Sequence, residues 1–250
     1  MRSGSKRFFG WLRAAGTIET PHSGRGGREV AGTLRMINVE MHAHTYHSRD
    51  GFTTVKSFIR WCKKRDLNCV CITDHNTVSG ALEFSGKVPV KIIIGQEITT
   101  GQGDVTGLFL KEEIPPSLGL EDTVGRIKAQ RGLVYLPHPL DEFRKSSVKI
   151  GDAERLRDSI DIIEVFNSRT LNPKYNDRAL EFAMANNMVV AVGSDAHHPL
   201  ELGNSYMQMP DFDGPEEFLT SVRKARYVSR RCPLWLRFYL KGLKILTGKD

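Results

Sequence analysis

The sequence predicts an α/β fold in which a parallel sheet is buried by helices. Three observations carry that expectation. Short, nearly continuous apolar runs recur from Met36 onward, amphipathic stretches of helical length separate them, and 250 residues suffice for one sizeable domain. An α/β barrel and an open doubly wound sheet both satisfy this pattern.

The elements follow in order. Strand candidates are INVEMHAH (37–44), NCVCITDH (68–75), VKIIIGQEI (90–98), the shorter DVTGLFL (104–110), LVYLPHP (133–139), IDIIEVFNS (160–168) and MVVAVGSDA (188–196). Each is a brief apolar run bounded by polar or turn-forming residues, as a strand buried on both faces requires. Helical segments lie between them: TVKSFIRWCKKR (54–65), LEDTVGRIKAQR (120–131) and RALEFAMANN (178–187).

Charge is unevenly distributed. The formal net charge is +7, yet residues 1–35 carry +5 and residues 224–250 carry +7, which leaves the central segment at −5. An acidic body argues against a long groove for duplex nucleic acid, which needs a basic stripe. The first 35 residues, rich in Gly, Ser and Arg, read as a mobile basic extension (1–35) ahead of the main domain (36–226), and Met36 is an alternative start. No apolar run reaches the roughly 18–20 residues of a membrane span. The four cysteines (62, 69, 71, 232) form no CxxC pair and read as buried, reduced thiols, which points to a reducing, cytoplasmic setting.

The chemistry-bearing residues gather where strands finish. VEMHAHTYHSRDG (39–51) holds His42, His44, His47 and Asp50; ITDH ends on His75, IGQE on Glu97, YLPH on His138, and GSDAHH carries Asp195, His197 and His198. In a parallel barrel the C-terminal strand ends open onto one face. The spacing of two in His42-Ala43-His44 puts both imidazoles on one side of a strand, as two ligands of one ion require. A single such histidine is most simply a hydrogen-bonding loop residue; the recurrence across strand ends is what indicates a metal site.

HAHTYHSRDG, ITDHNT, GQE, PHP and GSDAH occur in the order and spacing of the PHP (polymerase and histidinol phosphatase) metallohydrolases, and from about Met36 to Arg226 the chain resembles that family. The resemblance implies a distorted seven-stranded (β/α) barrel, TIM-like, with two or three divalent ions (Zn, Mn, Fe or Mg) at the C-terminal strand ends. It implies His42, His44, Glu97 and Asp195 around a first ion, Glu97 bridging to a second that His138 also binds, and Asp50, His75 and His197 around a third. The family often adds a histidine after the bridging glutamate. Here no histidine lies between Glu97 and His138, and Asp104 is the acidic residue best placed to substitute. More oxygen ligands favour Mn or Mg relative to Zn. The 40 residues between Glu97 and His138 leave no room for a large inserted subdomain, so the short stand-alone phosphoesterases are the nearest branch.

Further residues are expected near the site. Asp74 and Asn76 would orient ligands, Arg144 and Arg169 would grip a phosphate, and Glu164 is either a structural hydrogen-bonding group or a ligand-orienting one. His47 and His198 are substrate contacts or solvated loop residues. The implied reaction is phosphoester hydrolysis by metal-activated water, with Glu97, Asp195 and His197 as the catalytic ligands. No GxSxG elbow offers a protein nucleophile, and neither GxxxxGK[ST] nor GxGxxG is present. The expected substrate is a small phosphate ester: a monoester, a nucleotide or a short single-stranded oligonucleotide. A non-catalytic metal-binding regulatory domain and an amidohydrolase-like C–N hydrolase are the alternatives. Residues 227–250 read as a basic amphipathic helix after Pro233. It either packs across the barrel with Arg237, Lys241 and Lys244 in solvent, lies on an anionic membrane, or binds a partner.

Overall fold

The computed structural model describes residues Ile18–Glu19 and 35–248. The rest of the expected N-terminal extension lies outside the described residues. The elements are β1 (Ile18–Glu19), β2 (Met36–Ala43), α1 (Val55–Arg65), β3 (Cys69–Ile72), α2 (Ser79–Ser85), β4 (Lys91–Thr100), β5 (Gly103–Leu108), α3 (Leu120–Ala129), β6 (Leu133–Leu136), α4 (Ile150–Leu156), β7 (Ile162–Asn167), α5 (Lys174–Ala185), β8 (Val190–Gly193), β9 (Tyr206–Pro210), α6 (Gly214–Arg223), β10 (Arg226–Val228) and α7 (Leu234–Thr247).

The described strands form one ten-stranded sheet, more than the seven expected; β2 to β8 pair in sequence order, and an isolated parallel bridge between Ala43 of β2 and Ala196, just after β8, nearly closes them into a ring. The free edge of β2 is shared. Its first half pairs antiparallel with β9 (Met36↔Pro210 to Val39↔Met207), and its end meets the residues after β8. β10 and β1 continue the sheet outward from β9. The expected distorted barrel is therefore present, and the open doubly wound alternative is excluded by the closing bridge.

The distortion lies in β5, which runs antiparallel to both β4 and β6. Its reversed direction brings its first residues, not its last, to the face where the parallel strands end. Asp104 thus reaches the mouth from the start of a strand.

Three apolar clusters hold the layers. Ile37, Val39, Met41, Cys69, Cys71, Ile93 and Tyr135 fill the ring together with Phe218 and Val222 of α6. Phe109, at the far end of β5, meets Phe212 and Phe218 edge-on there. α1 and α2 pack Phe58, Cys62, Ala81 and Phe84 on Val70 and Ile72, while α3, α4 and α5 cover the β5–β7 side. The start and end of α1 follow local rules: Thr54 and Ser57 form a reciprocal capping box, and Lys63, Lys64 and Arg65 lie at its negative end. All four cysteines are buried and unpaired; burial pushes Cys62 and Cys69 up to about 12. Among the described residues no helix is long and apolar enough to cross a membrane.

Candidate metal centre

A β-bulge decides which way the first two histidines face. Val39, Glu40 and Ala43 of β2 pair with Cys69, Val70 and Ile72 of β3, so one extra residue sits on β2 between Glu40 and Ala43. Before it, Ile37, Val39 and Met41 point into the ring; after it, Ala43 packs outward on the helix layer. The change of phase turns His42 and His44 inward at the mouth, and bulges beside functional sites commonly re-aim side chains in this way.

His42, His44, Glu97 and Asp195 converge there. His42 Nε2 lies 3.1 Å from His44 Nε2, 3.4 Å from Glu97 Oε2 and 3.7 Å from Asp195 Oδ1. His44 Nε2 lies 3.4 Å from the same Glu97 oxygen and 3.5 Å from the same Asp195 oxygen. A tetrahedral ion with bonds of about 2.1 Å separates its ligands by ~3.4 Å, so these five edges are those of a coordination shell.

Two further groups adjoin it. His75 Nε2, His197 Nε2 and Asp50 form a triangle with sides of 3.4, 3.1 and 3.7 Å. On the other side His138 Nε2 lies 2.9 Å from Glu97 Oε1, and His75, Glu97 and Asp104 offer ligand atoms within 4.8 Å of one another. Asp104 shares a sheet face with Glu97, because Glu97 pairs with Thr106 and Asp104 lies two residues on. All nine residues expected to bind metal are thus in one cluster. The polar inventory fits cations: among the described residues, Asp50 Oδ1, Glu97 Oε2, Asp104 Oδ1 and His138 Nδ1 are buried with no hydrogen-bond partner, a condition that native interiors rarely tolerate without an ion or water.

The outer contacts orient the ring nitrogens. His42 Nδ1 pairs with Glu164 Oε1 (3.2 Å) and His44 Nδ1 with Ser48 Oγ (3.1 Å); with Nδ1 as the donor, the inward Nε2 of each would offer its lone pair to an ion. His197 Nδ1 lies between the Asp195 carbonyl (2.9 Å) and the Arg169 guanidinium, which can only donate to it. Ser48 in turn donates to Asp74 (2.8 Å), which also accepts from the Thr45 amide and hydroxyl at 2.6 Å each. Asn76 does not approach the ligand nitrogens; its Oδ1 accepts from the Thr99 amide (2.9 Å), tying two strand ends together.

Electrostatics point the same way. Burial would raise Glu97, but His75, His42 and the hydrogen bond from His138 hold it well below the usual carboxylate range. Burial would also depress His42, yet the charges of Glu164, Glu97 and Asp195 raise it well above normal: the pocket draws positive charge. Asp104 is pushed up to about 6 by burial and by the Glu97 charge. His138 (φ 30°) and Asp195 (φ 53°) take left-handed backbone conformations, a strain that ligand sites commonly store. Gly193 lies directly under the cluster, where a Cβ would meet Glu164 Oε1 at 2.2 Å and the His42 Cβ at 2.7 Å.

The remaining expected residues divide. Arg144 donates to Asp195 Oδ2 (2.8 Å) and to Asn167 Oδ1 (3.2 Å), and Arg169 lies against His197 and the buried Glu201, so both arginines reach the mouth. His47 turns away and pairs with Glu83 of α2 (2.6 Å). His198 packs against Tyr239 of α7. Sequence reasoning missed Ser48, Asn167 and Lys244, which reach ligands from a loop, a strand end and the last helix. Only Ser48 carried a local signal, its place inside the His-rich motif. The C-terminal helix differs from expectation: Arg237 and Lys244 face the barrel, and the exposed side bears Trp235, Phe238, Ile245 and Leu246.

Comparison with known proteins agrees with this geometry. Residues 40–184 match the PHP domain, and residues 173–227 match the PHP-associated region. An uncharacterised protein of Methanocaldococcus jannaschii is 34% identical over 197 residues, which cover 75% of this chain and 79% of that protein. A Bacteroides vulgatus two-domain protein, described as containing a predicted PHP-like metal-dependent phosphoesterase, superposes with a TM-score of 0.65 at 18% identity, covering 84% of this chain and 70% of that one. The lesion-specific endonuclease EndoQ of Pyrococcus furiosus gives 0.58 at 17% identity, covering 76% and 56%.

Proposed function

We propose that this chain, which belongs to the PHP domain family, is a metal-dependent phosphoesterase acting on a small phosphate ester. The observation that carries the proposal is the convergence of His42, His44, Glu97 and Asp195 at 3.1–3.7 Å. These four would hold one ion. Asp50, His75 and His197 would hold another, and Glu97 would share a further one with His138 and Asp104. Divalent ions so held acidify water and neutralise phosphate oxygens. Manganese or magnesium suits the oxygen-rich Asp104 side better than zinc.

The protein's own groups do the rest. Glu164 and Ser48 would hold His42 and His44 in the tautomer that presents Nε2 inward. Arg144 and Arg169 brace Asp195 and His197, and their unused N–H groups suit a phosphoryl oxygen. The acidic central segment favours a monoester, a nucleotide or a short single strand over duplex nucleic acid. Buried unpaired thiols are consistent with a reducing, cytoplasmic compartment.

The test is phosphate release by purified protein from monoesters, nucleotides and short oligonucleotides, with Mn, Mg or Zn and after chelation, beside a panel of amides. Metal-dependent release that is lost in His42→Ala supports the proposal. A metal-loaded protein inert to every ester, or one that cleaves only amides, refutes it.

A further inference from the structure

The segment from Phe218 to Gly248 contains no acidic residue, and α7 lies beyond the regions matched to the family, which end at residue 227. The helix is seated by little apolar contact: Leu236 and Leu240 are buried against Cys232 and Leu200. Arg237 and Lys244, seven residues apart and so on one face, flank these leucines and point at the barrel. Arg237 Nη2 donates to the Ser168 carbonyl (3.3 Å), and its Nε is buried without an acceptor. Lys244 Nζ donates to Asp50 Oδ2 (2.5 Å). Its side chain is only 17% exposed, whereas the adjoining Ile245 and Leu246 are 61% and 86% exposed. Placing a lysine inward and two large aliphatics outward reverses ordinary burial preference, and a buried ammonium requires a paired anion.

We infer that α7 is a cap over the barrel mouth and that Lys244 is a substrate-binding residue, gripping the ester phosphate beside the Asp50–His75–His197 triangle. This rests on the phosphoesterase reading above. Asp50 Oδ2 is shared between Lys244 and His197 Nε2, 3.1 Å away, so the ammonium already stands at the edge of a cation-binding group. A divalent ion held by that group would set two positive charges beside the Lys244 ammonium, with only the single negative charge of Asp50 between them. A phosphoryl oxygen reaching both would supply the further negative charge that the pair lacks. Arg237 adds to the same field: burial first, then the nearby charges of Arg169 and Arg144, hold its guanidinium below its ordinary value. The mouth is therefore rimmed by four cations, two of them supplied by α7.

The experiment titrates inorganic phosphate calorimetrically into the full chain with manganese present, and follows amide exchange of α7 with manganese alone and with manganese plus phosphate. Manganese alone should speed exchange in α7, and phosphate should restore protection. Lys244→Met should weaken phosphate binding about tenfold or more, the usual effect of losing one charge-assisted hydrogen bond, while manganese binding is unchanged or tighter. KM should rise by a similar factor, with kcat less affected. Lys244→Arg should recover most of the loss, and Lys241→Met, on the exposed side, should change neither quantity. Equal phosphate affinity in Lys244→Met and the parent, with α7 exchange indifferent to phosphate, overturns the inference. A chain that binds phosphate through Lys244 but hydrolyses no ester overturns the phosphoesterase reading instead.

Discussion

Replacing Glu164 by glutamine tests how the outer contacts set the metal site. Glu164 is fully buried and accepts four hydrogen bonds: His42 Nδ1 (3.2 Å) and the Tyr135 hydroxyl (2.8 Å) on Oε1, and the His138 amide (2.6 Å) and Asn167 Nδ2 (2.9 Å) on Oε2. A glutamine must put its NH2 at one of these ends. At the Oε2 end it faces a backbone N–H, which cannot accept, and Asn167 Oδ1 is already engaged by Arg144 and the Arg169 amide. At the Oε1 end the Tyr135 hydroxyl can rotate to accept, and His42 can accept on Nδ1 only by moving its proton to Nε2. That proton then points at the other cluster ligands. The substitution therefore costs about 1–3 kcal/mol of stability from imperfect pairing, a Tm decrease of roughly 3–10 °C for a domain of this size. It should also weaken the first ion by about 10–100-fold, the usual range for losing a carboxylate behind a metal-ligating histidine. Calorimetric titration with manganese and zinc, beside melting curves with and without metal, measures both. Unchanged ion affinity in a folded Glu164→Gln protein would refute the tautomer argument.

Further outcomes follow from the same geometry. Asp104, raised to about 6, favours the metal-free fold in its protonated form; that contribution is full below about pH 4 and is lost as pH rises through 6. A metal needs the ionised form, so at pH 5 proton competition should weaken the ion at Asp104 about tenfold, and Asp104→Asn should remove this acid limb from the titration. Gly193→Ala, which forces a Cβ to 2.2 Å from Glu164 Oε1, should lower stability by about 1–3 kcal/mol and strip ions from the cluster; a fully loaded, unshifted variant would contradict the packing. His47→Ala removes a half-exposed pair with Glu83 and should change stability by less than about 1 kcal/mol, with turnover equal to the parent; a large loss of turnover would place His47 in the site after all.

Much of the cluster was legible because histidines and carboxylates are chemically conspicuous at the ends of apolar strands. His42, His44, Glu97, His138 and Asp195 stand out against the valines and isoleucines around them, and strand direction carries them to one mouth. Asp104 was found by elimination among acidic residues, but its route to the mouth depends on β5 running backward, which no local pattern in DVTGLFL records. The supporting groups were harder to see. Glu164 looks like one polar residue in an apolar strand, Ser48 like one of many loop serines, and Gly193 like any strand-end glycine. Their roles exist only where separate strands meet.

The sequence by itself determined which side chains could bind a cation, that strands and helices alternate, and that a last helix carries cations and leucines at helical spacing. These follow from composition and short-range periodicity, which each segment carries alone. Only the tertiary structure decided which way those segments face. The bulge after Glu40 turns His42 and His44 inward, the hairpin at Thr100–Gly103 reverses β5, and α7 turns Arg237 and Lys244 toward the barrel while leaving Trp235 and Phe238 outside. Orientation depends on what lies across the gap: a register offset against β3, an antiparallel partner, or the carboxylate of Asp50 at 2.5 Å. An amphipathic pattern specifies that two faces differ, and the partner across the gap selects which of them turns inward.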